Sequence, residues 1–388
     1  MRNPSIYMDY AATTPVDERV IEKMQACLGY EGNFGNAAST SHLFGWQAAE
    51  AVEDARAQVA SLLNADVREV VFTSGATESN NLALFGVARF RAKKMQKHHI
   101  ITSSIEHKAV LDCCTQLEHE GFRVTYLRPN ALGLISAESV ANAVESDTAL
   151  VSIMHANNET GVINDVAAIG AICREQNIIF HVDAAQSIGK VAIDLRTMNI
   201  DLLSISAHKF YGPKGIGALF VSRQPKVEIE PLIYGGGHER GMRSGTLSTH
   251  QIVGLGSACA LVASHEYKMH LKHLAKLRDY LWRGIKDLPG VLRNGCEQSV
   301  LAGHLNVCFR GVDGETLLMS LRKLAISSGS ACNSASMKPS YVLTQMGLSN
   351  EDADSSIRFS LGKYSTEEEV ESAIEHITTV YSRLKDSQ

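Results

Sequence analysis

The amino-acid sequence predicts an α/β protein with a mostly parallel seven-stranded sheet, helices on both faces of that sheet, and a second, smaller α+β domain. The chain has 388 residues, of which 45% are hydrophobic, so it is long enough for about two domains with substantial cores. Between about residues 70 and 221, seven short β-branched runs alternate with segments of helical length. This alternation predicts parallel strands, because a helix is the usual connection between two parallel neighbours.

The elements of the large sheet are expected in a regular order along the chain. Apolar, β-branched runs predict strands over residues 70–73, 100–103, 123–127, 150–155, 178–183, 202–206 and 216–221. Segments with helical periodicity predict helices over residues 77–91, 108–120 and 166–176. The last of these is preceded by Asn164 and Asp165, residue types that favour a helix N-terminus.

The sequence changes character after about residue 260. We expect a charged helix over residues 265–286, strands near 305–309 and 357–360, and a final helix from residue 366 to about 384. This order indicates a small α+β domain, formed by residues 1–14 together with 261–388, beside a large domain over residues 15–260.

Composition and charge argue against several classes of protein. The chain has 37 basic and 42 acidic residues and a net charge of −5, which offers no electrostatic basis for binding nucleic acid or an anionic membrane. The N-terminus lacks the apolar stretch of a secretory signal, and runs such as 216–221 are far shorter than the ~20 residues that span a bilayer. The 8 cysteines show no CxxC pair and no Cys/His spacing of a structural zinc site. We expect a cytoplasmic protein with reduced thiols and no metal site of its own.

Polar and glycine-containing turns follow five of the predicted strands. They comprise residues 74–77, 106–107, 157–159, 183–186 and 206–209. Ligands of such sheets bind beyond the carboxyl ends of the strands. We therefore expect these five loops to meet at one edge of the sheet and to form the functional site.

Two of these turns carry residues that suit pyridoxal phosphate. Lys209 follows a strand beside His208, where loss of solvent would let its amine form a Schiff base; the alternative is a solvated surface charge. The pyridine nitrogen of that cofactor needs an acidic partner. Asp183, at the end of an earlier strand, suits this role; the alternatives are a turn aspartate or, with His181, half of a metal site that lacks further ligands.

Two further parts of such a site are expected in the preceding loops. The turn at residues 74–77 lies between a strand and a helix, where backbone amides bind phosphate, although such turns are also common without a ligand. His107 follows another strand, where its ring would pack on the pyridine ring and relay protons; the alternative is an ordinary histidine.

Cys332 lies in a run of small and polar residues over 327–336. Most cysteines are buried as small apolar residues, and that is the alternative here. The near absence of apolar anchors predicts instead an exposed, mobile loop at about residues 326–338. A thiol in such a loop is suited to deprotonation and to carrying a covalent group between two sites.

These motifs resemble the cysteine desulfurases of the pyridoxal-phosphate class-V aminotransferase superfamily, and most closely the bacterial type that supplies iron–sulfur cluster assembly. The resemblance runs from residue 7 to about residue 384 and is strongest at residues 72–81, 181–187, 207–215, 235–246 and 327–332. Several long motifs in the same order are a specific signal. The resemblance implies the fold of a pyridoxal-phosphate-dependent transferase of fold type I.

The resemblance also implies a role for each matching residue. Lys209 would form the Schiff base, and Cys332 would take sulfur from the substrate as a persulfide. Asp183 would pair with the pyridine nitrogen, His107 would stack on the ring and move a proton, and Gln186 would bind the ring oxygen. The phosphate would be held by Ala76, Thr77, Ser206 and His208, with Thr246 from the neighbouring subunit, and the substrate by Asn158, Arg358 and Asn36, of which Asn158 also holds the cofactor.

Substrate and partners follow from the same resemblance. It implies a homodimer that converts L-cysteine to L-alanine and passes sulfur to an iron–sulfur scaffold protein, or to acceptors in other thio-cofactor or tRNA thiolation pathways. Cys332 would then also be able to contact a 2Fe-2S cluster on the scaffold. The sequence departs from the family at Ala37, where relatives usually have proline, and at its end at Gln388, before the tail that bacterial relatives use for scaffold docking. The sulfur acceptor is therefore left open.

Two other functions stay open at this point. One is a related class-V lyase or aminotransferase that acts on selenocysteine or another amino acid. The other is a desulfurase-like partner protein that binds without turnover, against which the presence of Lys209, Asp183, His107 and Cys332 argues.

Overall fold

A computed structural model describes residues 5–328 and 339–386. Its first part contains, in chain order, β1 (Ile6–Tyr7), α1 (Glu18–Gln25), α2 (Leu43–Leu63), β2 (Val70–Thr73), α3 (Ala76–Met95), β3 (His99–Ser103), α4 (Lys108–His119), β4 (Arg123–Leu127), α5 (Ala137–Ala143), β5 (Thr148–Ser152), α6 (Val166–Glu175), β6 (Ile179–Asp183), β7 (Leu202–Ser206) and β8 (Gly217–Val221). Its second part contains α7 (Thr249–Ala263), α8 (His265–Ile285), β9 (Val291–Asn294), β10 (His304–Phe309), α9 (Gly314–Ser320), β11 (Leu324–Ala325), β12 (Ser327–Ser328), α10 (Tyr341–Gln345), α11 (Asn350–Asp354), β13 (Ser356–Ser360) and α12 (Glu367–Asp386).

The large sheet has seven strands in the order β2-β8-β7-β6-β5-β3-β4. Only β8 runs antiparallel to its neighbours; the other adjacent pairs are parallel. This arrangement confirms the predicted α/β class and the mostly parallel seven-stranded sheet. The strand predicted over residues 150–155 ends earlier, at Ser152, yet the backbone N–H groups of Ile153 and His155 still donate to carbonyl oxygens of β6.

Helices cover both faces of this sheet, and alternate strand residues point into two separate cores. Ile101 and Val151 pack in the core that includes α2, α6 and α7, whereas their neighbours Ile100 and Leu150 pack in the core that includes α3 and α4. This is the period of two that a strand buried on both faces imposes.

Sequence patterns missed helices α2 and α7, which pack against each other. Small residues let these two helices approach closely: a Cβ at Gly256 would lie 2.6 Å from the Ala55 Cα. Their shared face is therefore buried without strong apolar periodicity. Because apolar periodicity is the sequence signal that predicts a helix, these two helices were not predicted.

The second sheet contains β12, β13, β10 and β9, all antiparallel, and packs against α8 and α12. The N-terminal segment joins this part, since β1 pairs with β11 and Met8 lies in its core. The same segment then crosses to the large sheet, where the Thr14 N–H donates to the His208 carbonyl oxygen at 2.9 Å. The division into domains at residues 14 and 260 stays a prediction.

None of the helices in residues 5–328 and 339–386 is long and apolar enough to cross a membrane. In the same part of the chain, the seven cysteines are buried and unpaired, and no group of three or more His, Cys, Asp or Glu side chains is arranged to hold a metal ion.

Candidate active site

A cavity of about 630 Å³ lies beyond the carboxyl ends of the parallel strands. Residues from all five predicted loops line it, together with Ser327 and Arg358 of the small sheet. The predicted site residues among its lining are Ala76, Thr77, His107, Asn158, Asp183, Gln186, Ser206, His208, Lys209 and Arg358. The fold therefore brings together ten residues that the sequence analysis named, some from local patterns and the others from the family resemblance.

Among the described residues, two predicted site residues do not line this cavity. Asn36 and Thr246 are exposed on this chain, and the Asn36 Oδ1 accepts a hydrogen bond from the Ala38 N–H at 2.9 Å. Cys332 lies outside the described residues, but Ser327, five positions before it, lines the cavity. Roles for these three residues stay predictions.

Lys209 lies in the turn that follows β7, and its amine reaches the N-terminal segment. Its Nζ donates to the carbonyl oxygens of Ala11 and Ala12, at 2.6 and 2.8 Å. The neighbouring His208 bonds through Nδ1 to the Thr13 Oγ1 at 3.1 Å. Burial and the Lys209 charge lower the pKa of His208 to about 4, so its ring is neutral beside the amine at neutral pH.

Asp183, the last residue of β6, is buried and held by two donors. The Asn80 Nδ2 donates to its Oδ2 at 2.8 Å, and the Ala185 N–H donates to its Oδ1 at 2.9 Å. These bonds orient the carboxylate at the cavity, and no cation within residues 5–328 and 339–386 forms an ion pair with it. Sequence reasoning did not assign a role to Asn80, because its contact with Asp183 joins residues 103 positions apart.

His107 precedes α4 and caps its N-terminus: its Nδ1 accepts from the Ala109 N–H at 3.1 Å. Burial lowers the pKa of the His107 ring, with Asp183 opposing the shift and Lys209 adding to it. A neutral ring whose Nδ1 accepts a hydrogen bond carries its proton on Nε2. His107 thus offers a flat ring and one N–H donor.

The N-terminus of α3 lines the cavity with Ala76 and Thr77. No side chain in the described part of the chain caps this helix, so its first backbone N–H groups remain available to a ligand. The preceding Gly75 has φ of +154° and ψ of −179°, a conformation that favours glycine. Gly217 of β8 packs against this turn, since a Cβ there would lie 2.7 Å from the Gly75 Cα.

Arg358 of β13 brings a buried guanidinium to the same cavity. Its Nη1 donates to the Asn158 carbonyl oxygen at 2.8 Å, and its Nη2 pairs with the Asp9 Oδ1 at 2.6 Å. The Arg358 Nε and the Asn158 Oδ1 have no hydrogen-bond partner within residues 5–328 and 339–386. A guanidinium that lines a cavity suits a carboxylate ligand. Asp9 was absent from the predicted site, because 349 residues separate it from Arg358.

Glu159, next to Asn158, is buried, and its carboxyl group connects a loop of the large sheet to the segment that precedes α10. Its Oε2 accepts from the Ser340 Oγ, and Ser340 in turn caps α10 by accepting from the Leu343 N–H at 3.2 Å. Burial raises the pKa of Glu159 to about 7, although the Ser340 hydrogen bond and the Arg358 charge oppose this.

The raised pKa of Glu159 should make the stability of the folded chain depend on pH. The pKa of Glu159 is higher in the folded chain than its ordinary value of 4.5. Its contribution to the free energy of unfolding is therefore fully present below pH 4.5 and is lost as the pH rises to about 7. The glutamine of Glu159→Gln cannot ionise. Between pH 5 and 7.5, the free energy of unfolding of the wild type should therefore fall by up to about 3 kcal/mol relative to that of the variant. Urea unfolding across this range checks the prediction, with the exposed Glu371→Gln as the matched control. Parallel pH profiles for the wild type and Glu159→Gln would contradict it.

Known proteins resemble this chain over nearly its whole length. A family model described as aminotransferase class-V matches residues 6–372. The chain is 60% identical over 381 residues to the cysteine desulfurase IscS of Shewanella sp. strain ANA-3, covering 98% of this chain and 94% of that protein. It is 59% identical over 381 residues to the cysteine desulfurase IscS of Photobacterium profundum, with the same two coverages.

Solved structures agree with these relatives. A NifS-like protein superposes with a TM-score of 0.90 at 39% identity, covering 98% of this chain and 100% of that one. A second structure, SspA in complex with cysteine, superposes with a TM-score of 0.82 at 43% identity, covering 93% of this chain and 99% of that one. The predicted family resemblance and fold are thereby confirmed. The chain belongs to the class-V aminotransferase family and, within it, to the cysteine desulfurases.

Proposed function

We propose that this cysteine desulfurase binds pyridoxal phosphate in the 630 Å³ cavity and converts L-cysteine to L-alanine, leaving the sulfur as a persulfide on Cys332. The observation that carries the proposal is that Lys209 and Asp183 line one cavity. An amine and a carboxylate that line the same cavity are the groups that this cofactor needs for attachment and for protonation of its ring.

The donors and acceptors along the cavity fit the cofactor. The uncapped amides at the start of α3 suit its phosphate, and Ser206 lies nearby, since a Cβ at Gly75 would be 3.8 Å from the Ser206 Oγ. The Asp183 carboxylate suits the pyridine nitrogen, and the neutral ring of His107 suits a stacking contact. When bound, the cofactor supplies an electron sink for the charge that develops on the substrate carbon.

We assign the proton transfer at the substrate Cα to Lys209 and a hydrogen-bond donor role to His107. The proton of His107 lies on Nε2, and its Nδ1 already accepts from the Ala109 N–H. This side chain is therefore a hydrogen-bond donor in the resting enzyme. The Lys209 Nζ is the group that takes the proton from the substrate Cα and returns a proton to the product.

Arg358 is assigned to the substrate carboxylate. Arg358 lines the cavity, and the adjacent Asn158 holds its Nη1 through a backbone carbonyl oxygen. This restraint keeps the guanidinium plane fixed, and a fixed plane favours a carboxylate bound by two hydrogen bonds.

The sulfur step requires Cys332. Its thiolate attacks the substrate sulfur, so that an S–S bond forms while the Cβ–S bond breaks and its electron pair stays with the substrate carbon, which becomes alanine after protonation. We further propose a cytoplasmic homodimer in which Asn36 and Thr246, both exposed on one chain, complete the site of the other. An iron–sulfur scaffold protein or another thiol acceptor would receive the sulfur.

The experiment is an L-cysteine turnover assay on cofactor-loaded protein with a dithiol reductant. We expect alanine and sulfide in equal amounts. Cys332→Ala should keep the absorbance of the lysine-bound cofactor and form neither product, whereas the buried Cys27→Ala should behave as wild type. Full alanine release by Cys332→Ala would favour a related lyase that acts without this thiol. Absence of both cofactor absorbance and alanine in the wild type would favour a non-catalytic partner protein.

A further inference from the structure

One amine close to the cavity has no role in the mechanism above. Lys190 follows β6 by seven residues, and its Nζ donates to the Gln186 Oε1 at 3.4 Å. The Gln186 Nε2 in turn donates to the Ala11 carbonyl oxygen at 2.9 Å. Gln186 itself is buried and lines the cavity.

These two partners determine which way the Gln186 amide faces. A lysine amine donates to Oε1, and a backbone carbonyl oxygen can only accept, so it requires the Nε2 group. The amide therefore cannot turn over without losing both bonds. Its NH₂ group has a second hydrogen, and because the side chain lines the cavity, that hydrogen is the one available to a bound molecule.

We propose that Lys190 is a positioning residue that holds Gln186 as a hydrogen-bond donor toward the ring oxygen of the cofactor. The inference rests on the proposed function, because it concerns the same cavity and the same bound group. Without Lys190, the Gln186 oxygen loses its donor, and either end of the amide can then face the cavity.

The charged and imidazole groups that act on Lys190 are Lys209 and His208 after β7, Arg358 on β13 and His304 on β10. Three tyrosines, Tyr10, Tyr211 and Tyr267, line a small cavity together with Lys190 and His304. Burial lowers the pKa of Lys190 to about 7, and the Lys209 and Arg358 charges add to this. Burial also lowers the pKa of His304 well below its ordinary value, so that ring is neutral. The Lys190 amine donates to Gln186 in both of its protonation states, because even the neutral amine keeps N–H groups.

The test is a pH titration of the absorbance of the lysine-bound cofactor in the holoenzyme. A donor to the ring oxygen stabilises negative charge there, which favours loss of the proton shared between that oxygen and the Lys209 nitrogen. Lys190→Met keeps the length of the side chain but removes the donor, so the titration midpoint should rise by about one pH unit. Lys190→Arg should keep the wild-type midpoint, because it also donates.

A double variant separates positioning from a direct charge effect. If Lys190 acts through Gln186, adding Lys190→Met to Gln186→Leu should shift the midpoint no further than Gln186→Leu alone. Fully additive shifts, or an unchanged midpoint in Lys190→Met, would overturn the proposal. If Lys190→Met does not fold, Lys190→Leu, which also removes the donor, gives the same comparison in the same two backgrounds. A wild type with no such absorbance would instead refute the proposed function itself.

Discussion

Lys209→Ala is expected to remove the absorbance of the lysine-bound cofactor and to lower the turnover of L-cysteine by about 100- to 10,000-fold, the range typical of a lost acid–base group. The physical reason is that this side chain supplies both the attachment of the cofactor and the base for the Cα proton. Its Nζ donates to two carbonyl oxygens of the N-terminal segment, so it is already directed to the cavity. The measurements are an absorption spectrum and an alanine assay on the purified variant.

Two controls keep that result interpretable. Lys209→Arg retains the charge and can bond to the Ala11 and Ala12 carbonyl oxygens, so it should fold like the wild type. Because arginine cannot attach the cofactor, this variant should be as inactive as Lys209→Ala. Lys226→Ala changes an exposed lysine and should have wild-type turnover. A Lys209→Ala protein that keeps both the absorbance and the turnover would disprove the assignment.

Arg358→Leu is expected to raise the KM for L-cysteine by about 10- to 100-fold, because a hydrogen-bonded charge pair with the substrate carboxylate is lost. The change should also lower the melting temperature, since Asp9 loses the partner that lies 2.6 Å from its Oδ1. Steady-state kinetics and thermal unfolding measure the two effects separately.

Asp9→Asn separates substrate binding from stability. It breaks the same ion pair but leaves Arg358 charged, so the melting temperature should fall while the KM does not rise. The exposed pair of Arg310 and Asp352 offers a further control, because Arg310→Leu removes an arginine far from the cavity lining and should leave the KM unchanged. A wild-type KM in Arg358→Leu would rule out this arginine as the carboxylate ligand.

Local patterns in the sequence predicted the strands of the large sheet and the loops that follow them. A strand buried on both faces is a short apolar run, as in β2, β3 and β7, and such runs are visible without any tertiary information. The topology rule for parallel sheets then placed residues of five loops at one edge, and the cavity confirms that placement.

Contacts between distant parts of the chain were not predictable in this way. The N-terminal segment bonds to Lys209 across 198 and 197 residues, and Asp9 pairs with Arg358 across 349. Ser340 reaches Glu159 across 181 residues. No local periodicity or spacing relates such partners, because their proximity arises only when the small sheet packs beside the large one.

The amino-acid sequence by itself determined the α/β class, the strand order along the chain and the chemical identity of the groups at the cavity, because these depend on hydrophobic period, turn composition and side-chain type. Only the tertiary structure decided which of these groups are neutral, how each is oriented and which carbonyl oxygens hold the Lys209 amine. Those properties depend on burial and on hydrogen-bond partners, and both arise only when segments far apart in the chain are packed against each other.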